Sequence, residues 1–202
     1  MEPSDIVTRE LRAFFNSASG AADMTEEQLI GLIDPVLRDL GSLALEGEEF
    51  RQPPLDVVRY YERSVRLSFV PLLGRARSVV TLVRQPVDIA GTVAGYERLL
   101  KRLGMAVNGR FPPWRGLVIG LTAITMTPEP IQPADDAMLR DVLGITLRRM
   151  RVVPFGLLRI NLGQEAIALA IKSSPDELFA EPLRLADLLT QNFRRYVPAI
   201  EF

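Results

Sequence analysis

The residue pattern predicts an α+β fold: a helical N-terminal lobe followed by a small, mainly antiparallel sheet and a C-terminal helix. Three observations lead there. Between Pro54 and Gly104, apolar residues recur at three-and-four spacing, first Leu72, Leu73, Ala76, Val79, Val80 and Val83, then Ile89, Val93, Tyr96, Leu100 and Leu103; this is the stripe of amphipathic helices. From Leu117 to Thr127 the run is apolar throughout and rich in branched residues, as in a strand buried on both faces. Leu158, Ile160 and Leu162, then Ile167, Leu169 and Ile171, alternate with other residues on either side of Gly163-Gln164, which reads as a β-hairpin with a two-residue turn. The expected division is a helical lobe over 1–110 and a sheet with its C-terminal helix over 111–202, forming one compact unit.

In chain order, Ser4 or Asp5 can cap a first helix carrying Val7, Leu11, Phe14 and Phe15, and the small residues from Asn16 to Asp23 end it. Thr25-Glu26-Glu27-Gln28 is a capping box opening a second helix, in which Asp34-Pro35 predicts a kink or restart. Three helices are then expected. Arg59, Glu62, Arg63 and Arg66 would share one face of the first, against Val57, Val58, Tyr61 and Val65 on the other. Pro71 and Pro86 bound the next, and Gly104 is placed to end the third in a left-handed conformation. Gly91 and Gly95 in that third helix have the small-x-x-x-small spacing of close helix packing.

Asn108 to Gly116 is a stiff loop with a proline pair and the only tryptophan, its Phe111 and Trp114 either tucked beneath the loop or displayed at its tip. Asp135-Asp136 predicts the start of a short helix through Met138, Leu139 and Val142, while the stretch from Leu139 to Met150 fits helix and strand alike. Ser174-Pro175-Asp176-Glu177 is a further capping box, and Pro182 restarts the helix. Leu185, Leu189, Phe193 and Tyr196 form its buried stripe, with Arg194 and Arg195 opposing the dipole in the last turn.

Composition limits function more than any motif does. The chain of 202 residues has no histidine and no cysteine, which removes serine-histidine and cysteine-histidine nucleophiles, ordinary zinc sites and histidine- or cysteine-ligated haem. The carboxylates Asp135, Asp136 and Asp141, or Glu46, Glu48 and Glu49, lack further spacing for a metal and read as helix caps or solvated groups. Gly104 to Phe111 only superficially resembles a phosphate loop, because the lysine and hydroxyl that hold phosphate are missing. No cofactor is implied, and the chain reads as not an enzyme. The apolar run from Gly116 to Pro128 is too short to cross a bilayer, and no secretory signal is visible, so a cytoplasmic protein without cysteine chemistry is expected.

The net charge of -1 conceals a segregation: residues 1–50 carry -8, residues 51–115 carry +8, and the remainder carries -1. Two readings compete. Either the acidic block neutralises the basic one within the fold, or the basic block meets an anionic partner. The second reading gives the expected function, a non-enzymatic interaction or adaptor protein that meets a protein partner or another copy of itself through a basic helical face and the aromatic loop. Its residues would be Arg59, Arg63, Arg66, Arg75, Arg77, Arg84, Arg110, Phe111, Trp114 and Arg115. A nucleic-acid-binding protein using the same arginines is the alternative, and a carrier of an apolar ligand a further one.

Overall fold

The computed structural model describes residues 24–46, 55–66, 75–111, 118–145, 147, 150–172 and 179–195, with the backbone alone at Arg66 and Arg75. The helix expected near the N-terminus, the capping box at 174–177, Trp114, Arg115 and Tyr196 lie outside these residues. Helix α1 (Glu26–Asp39) leads into β1 (Leu43–Glu46), β2 (Asp56–Arg66) and β3 (Arg75–Arg84). Then follow α2 (Val93–Arg110), β4 (Val118–Met126), α3 (Asp135–Leu143), β5 (Val152–Asn161), β6 (Ala166–Ile171), α4 (Glu181–Asn192) and the two-residue β7 (Arg194–Arg195).

All seven strands belong to one mixed sheet in sequence order, β1 to β7. β1, β2 and β3 are antiparallel neighbours; β3, β4 and β5 run parallel through the crossover helices α2 and α3; β6 is antiparallel to β5 and parallel to β7. The boundary expected at residue 110 falls inside the β3–α2–β4 crossover, so the sheet is continuous across it.

A helical lobe followed by a sheet is therefore not the architecture: residues 56–66 and 75–84 are strands at the middle of the molecule. The reason is visible in the side chains. Val57, Val58, Tyr60, Tyr61 and Val65, like Val79, Val80, Thr81 and Val83, are β-branched or aromatic, and stiffness at χ1 favours extended backbone. β3 is buried on both faces, and its nearly continuous apolar run contains three-and-four spacings without being helical.

Helices cover both faces. α2 and α3 pack Tyr96, Leu99, Leu103, Leu139 and Val142 against Val79, Val83, Leu121 and the alanines Ala166, Ala168 and Ala170 of β6. α1 and α4 pack Leu29, Ile33, Leu37, Leu185 and Leu189 against Val80, Leu82, Ile124, Leu158 and Ile160 on the opposite face. The apolar residues of β4 are thus divided between two cores, which accounts for its continuous hydrophobicity.

Several local expectations hold. The capping box closes α1, with Thr25 Oγ1 accepting from Gln28 N (3.2 Å) and Gln28 Oε1 from Thr25 N (2.7 Å). β4 and the β5–β6 hairpin form where expected, and α3 begins at Asp135. Others are corrected. α1 runs through Pro35 as one element. The hairpin turn spans Leu162 to Glu165 rather than two residues, closed by Glu165 N to Leu162 O, with Glu165 at φ 49°. Gly104 lies inside α2, where an added Cβ would stand 2.8 Å from Leu147 Cδ1. Gly91 precedes α2, which Thr92 caps by accepting from Gly95 N. Of the ambiguous stretch, Leu139–Leu143 belongs to α3, while residues 144, 145, 147 and 150 are neither helix nor strand. Arg194 and Arg195 are in β7 rather than a last helical turn.

Candidate functional site

Because 56–66 is a strand, its arginines alternate between faces instead of sharing one. Arg59 and Arg63 lie on the α1 and α4 face. Arg59 donates to Asp34 (3.2 Å) and Glu46 (2.6 Å), and Arg63 Nε donates to Glu181 (2.6 Å), which has no solvent exposure. Tyr61 completes the cluster under α1 by donating to Asp34 Oδ1 at 2.5 Å. Its phenol is held well above the usual tyrosine range, first by burial and then by that carboxylate. Arg84, at the far end of β3, is bidentate to Glu26 and also bonded to Asp56, at 2.8–2.9 Å. These three cations are neutralised within the fold, two of them by acids of the first fifty residues.

The remaining members gather elsewhere. Arg66 stands directly opposite Arg75 in the antiparallel ladder, and Ser64 opposite Arg77. By strand parity these four positions share the face covered by α2, at the end of the sheet where β2 finishes and β3 and β4 begin. α2 ends at the same place. Its Arg110 guanidinium lies 4.6 Å over the Tyr60 ring and 3.7 Å from Glu62, and Arg77 sits 5.7 Å over the Phe111 ring. Phe111 is buried, so this aromatic is tucked in. Among the described residues Arg77 makes no ion pair.

The opposite end of the parallel strands, where open α/β sheets often bind ligands, is closed by a second cluster. Arg159, 3% exposed, donates to Asp135 and Glu129, both at 2.6 Å, with its Cζ 5.9 Å from the Tyr96 ring. The Tyr96 hydroxyl meets Thr125 Oγ1 at 2.9 Å, and Thr125 donates to Leu158 O. Burial pushes the Tyr96 phenol up to about 12, although Thr125 and Arg159 pull the other way. Gly91 lies so close that a Cβ there would collide with the Glu129 and Arg159 side chains. Asn161 donates to the carbonyls of Pro128 and Glu129, and Gln164 Oε1 accepts from Ile131 N. These bonds stitch the connection after β4 to the end of β5 and the turn that follows it.

Asp135 and Asp136 are consequently neither solvated nor arranged for a metal. Asp136 Oδ1 accepts from Leu169 N of β6 (2.8 Å) and Oδ2 from Arg195 (2.8 Å), fastening α3 and β7 to the sheet. Among the described residues no group of three or more acids is placed to hold a metal ion, and no helix is long and apolar enough to cross a membrane. Sequence reasoning missed Arg159, Glu129, Glu181 and Arg195 as partners. The one available signal was Arg159 at an apolar-alternating position of a strand buried on both faces, where an unpaired cation is untenable. Compared with protein-family models, curated proteins and solved structures, the chain matches none.

Proposed function

We propose that the chain is a non-enzymatic interaction protein that docks on an acidic protein partner through the end of the sheet formed by Arg66, Arg75, Arg77 and Arg110. The observation that carries this reading is the direct opposition of Arg66 and Arg75, with Arg77 next along the same face. Like charges at cross-strand positions destabilise a ladder, and a complementary anionic surface removes that cost while gaining orientation and rate of encounter. The aromatic contribution is indirect: Phe111 supports Arg77 from below.

A nucleic-acid partner has less support, because Arg59, Arg63 and Arg84 are already held by carboxylates inside the fold. An apolar carrier has less still, since the aliphatic residues that suggested it fill the two cores.

The test is a titration of the full chain with a glutamate-rich peptide and, separately, with an oligonucleotide of equal charge, over a range of salt. The expected result is binding of the peptide that weakens with salt and falls about tenfold or more in Arg75→Glu and Arg77→Glu variants. Arg84→Glu should leave that affinity unchanged. Equal affinity in all three variants, or tighter binding of the oligonucleotide, overturns the reading.

A further inference from the structure

We infer that the guanidinium of Arg159 anchors a binding site for a small monocarboxylate, and that the Glu129 side chain fills that site as a displaceable internal ligand. The site lies at the other end of the sheet from Arg66, Arg75 and Arg77, so it stands apart from the docking surface proposed above.

A guanidinium holds its N–H donors in a rigid planar fork. Arg159 is almost wholly enclosed, and its Nη1 is spent on the buried Asp135 at 2.6 Å. The edge formed by Nε and Nη2 is only half used. Nη2 donates to Glu129 Oε2 at 2.6 Å, while the buried Nε has no acceptor among the described residues. A buried donor left without a partner costs about 1–3 kcal/mol. Glu129 reaches this edge from outside, through one oxygen, with its own side chain 44% exposed. The tethered carboxylate thus engages one donor. An untethered carboxylate placed side-on would accept from both, in the parallel pair of bonds that makes guanidinium–carboxylate contacts strong.

Backbone and charge select the ligand. Gly91 stands against the same edge: an added Cβ would collide with Glu129 Oε2 and lie 2.6 Å from Arg159 Nη2, so a residue without a side chain keeps this space for a carboxylate. Thr92 follows as the cap of α2, whose N-terminal end favours negative charge nearby. When Glu129 leaves, Asp135 remains on Nη1 and faces whatever enters. A monocarboxylate restores the single charge that Glu129 carried. A phosphate dianion would set a second negative charge against Asp135, and like charges out of water repel strongly. With Arg159 beneath the surface and Gly91 against it, the fitting ligand is a small molecule bearing one carboxylate.

The probes are acetate and inorganic phosphate, titrated separately into the full chain at matched ionic strength while the Arg159 Nε–Hε resonance is followed by NMR. Acetate should shift this resonance saturably in the unmodified protein, because Nε gains an acceptor, and phosphate should bind about tenfold or more weakly. In Glu129→Gln there is no internal carboxylate to displace, and acetate should bind about tenfold or more tightly than in the unmodified protein. A resonance that stays fixed in the unmodified protein, or that moves only in the variant, makes Glu129–Arg159 a permanent structural pair and overturns the inference. Equal affinity for acetate and phosphate, or equal acetate affinity with and without the Glu129 carboxylate, overturns it as well. Should the variant fail to fold, the two titrations of the unmodified protein decide alone. None of these outcomes bears on the acidic docking surface at the other end of the sheet.

Discussion

Burial, more than distance, decides what each ion pair contributes. Arg59–Glu46 and Arg63–Glu181 are both 2.6 Å long, yet the Glu46 side chain is 70% exposed and Glu181 is fully enclosed. Removing the enclosed carboxylate takes away an ion-pair partner of a guanidinium whose side chain is only 20% exposed, and leaves a void at Glu181. Glu181→Ala should therefore cost about 3 kcal/mol or more in denaturant unfolding, while Glu46→Ala should cost less than about 1 kcal/mol. Equal losses would mean that the pairs are graded by geometry alone. Tyr96 supplies a pH signature. Its folded-state value is raised above the ordinary 10, so its contribution is complete below pH 10 and is lost as pH rises toward 12, where the unfolded chain ionises first. Alkaline unfolding followed by tyrosinate absorbance should show this slope, shallower in Tyr96→Phe; an unchanged slope would place the effect on Tyr61 instead. These partnerships were illegible in the sequence because each joins residues far apart in the chain, as Arg63 and Glu181 are. The Thr25–Gln28 box was legible because both halves lie within one turn.

At the level of elements, β4 and the β5–β6 hairpin were legible from local pattern, whereas β2, β3 and several turns and helix ends were not. The β5–β6 hairpin announced itself by alternation, and β4 by its unbroken apolar run. β2 and β3 were misread because a strand covered by helices on both faces loses the period-two pattern that marks it. The hairpin turn retains a local conflict. Glu165 is the one non-glycine described residue with positive φ, and its carbonyl accepts from Arg194 N at 2.7 Å, which links the turn to β7. Left-handed backbone costs an ordinary residue about 1–2 kcal/mol, whereas glycine adopts it freely but loses more entropy on folding. Glu165→Gly should raise stability by about 0.5 kcal/mol in thermal unfolding; a decrease would show that the side chain, not the backbone, governs this turn. Gly120 gives the opposite case, since a Cβ there would lie 2.5 Å from the Phe179 ring. Gly120→Ala should cost about 1–3 kcal/mol, recovered in part when Phe179→Leu is added; no recovery would break the link between this glycine and the approach of α4.

Across the whole molecule, the opposed acidic and basic blocks were plain in the sequence, but how they are used depends on topology. The sheet separates the arginines of β2, β3 and the end of α2 into two groups. Arg59, Arg63 and Arg84 bind α1, β1, β2 and α4 together through carboxylates, as internal neutralisation requires. Arg66, Arg75, Arg77 and Arg110 are collected where β2, β3 and α2 meet at one end of the sheet. A helical reading could not separate them, because it placed Arg59, Arg63 and Arg66 on a common face, whereas strand parity sends Arg66 to the other side. Arg66, Arg75 and Arg77, rather than Arg59, Arg63 and Arg84, are the arginines proposed to meet a partner. Arginine Nε–Hε resonances of the full chain, recorded while a glutamate-rich peptide is added, test this most directly. The account predicts that the signals of Arg66, Arg75 and Arg77 move progressively while those of Arg59, Arg63 and Arg84 stay fixed; movement of the second trio, with the first unchanged, would contradict it.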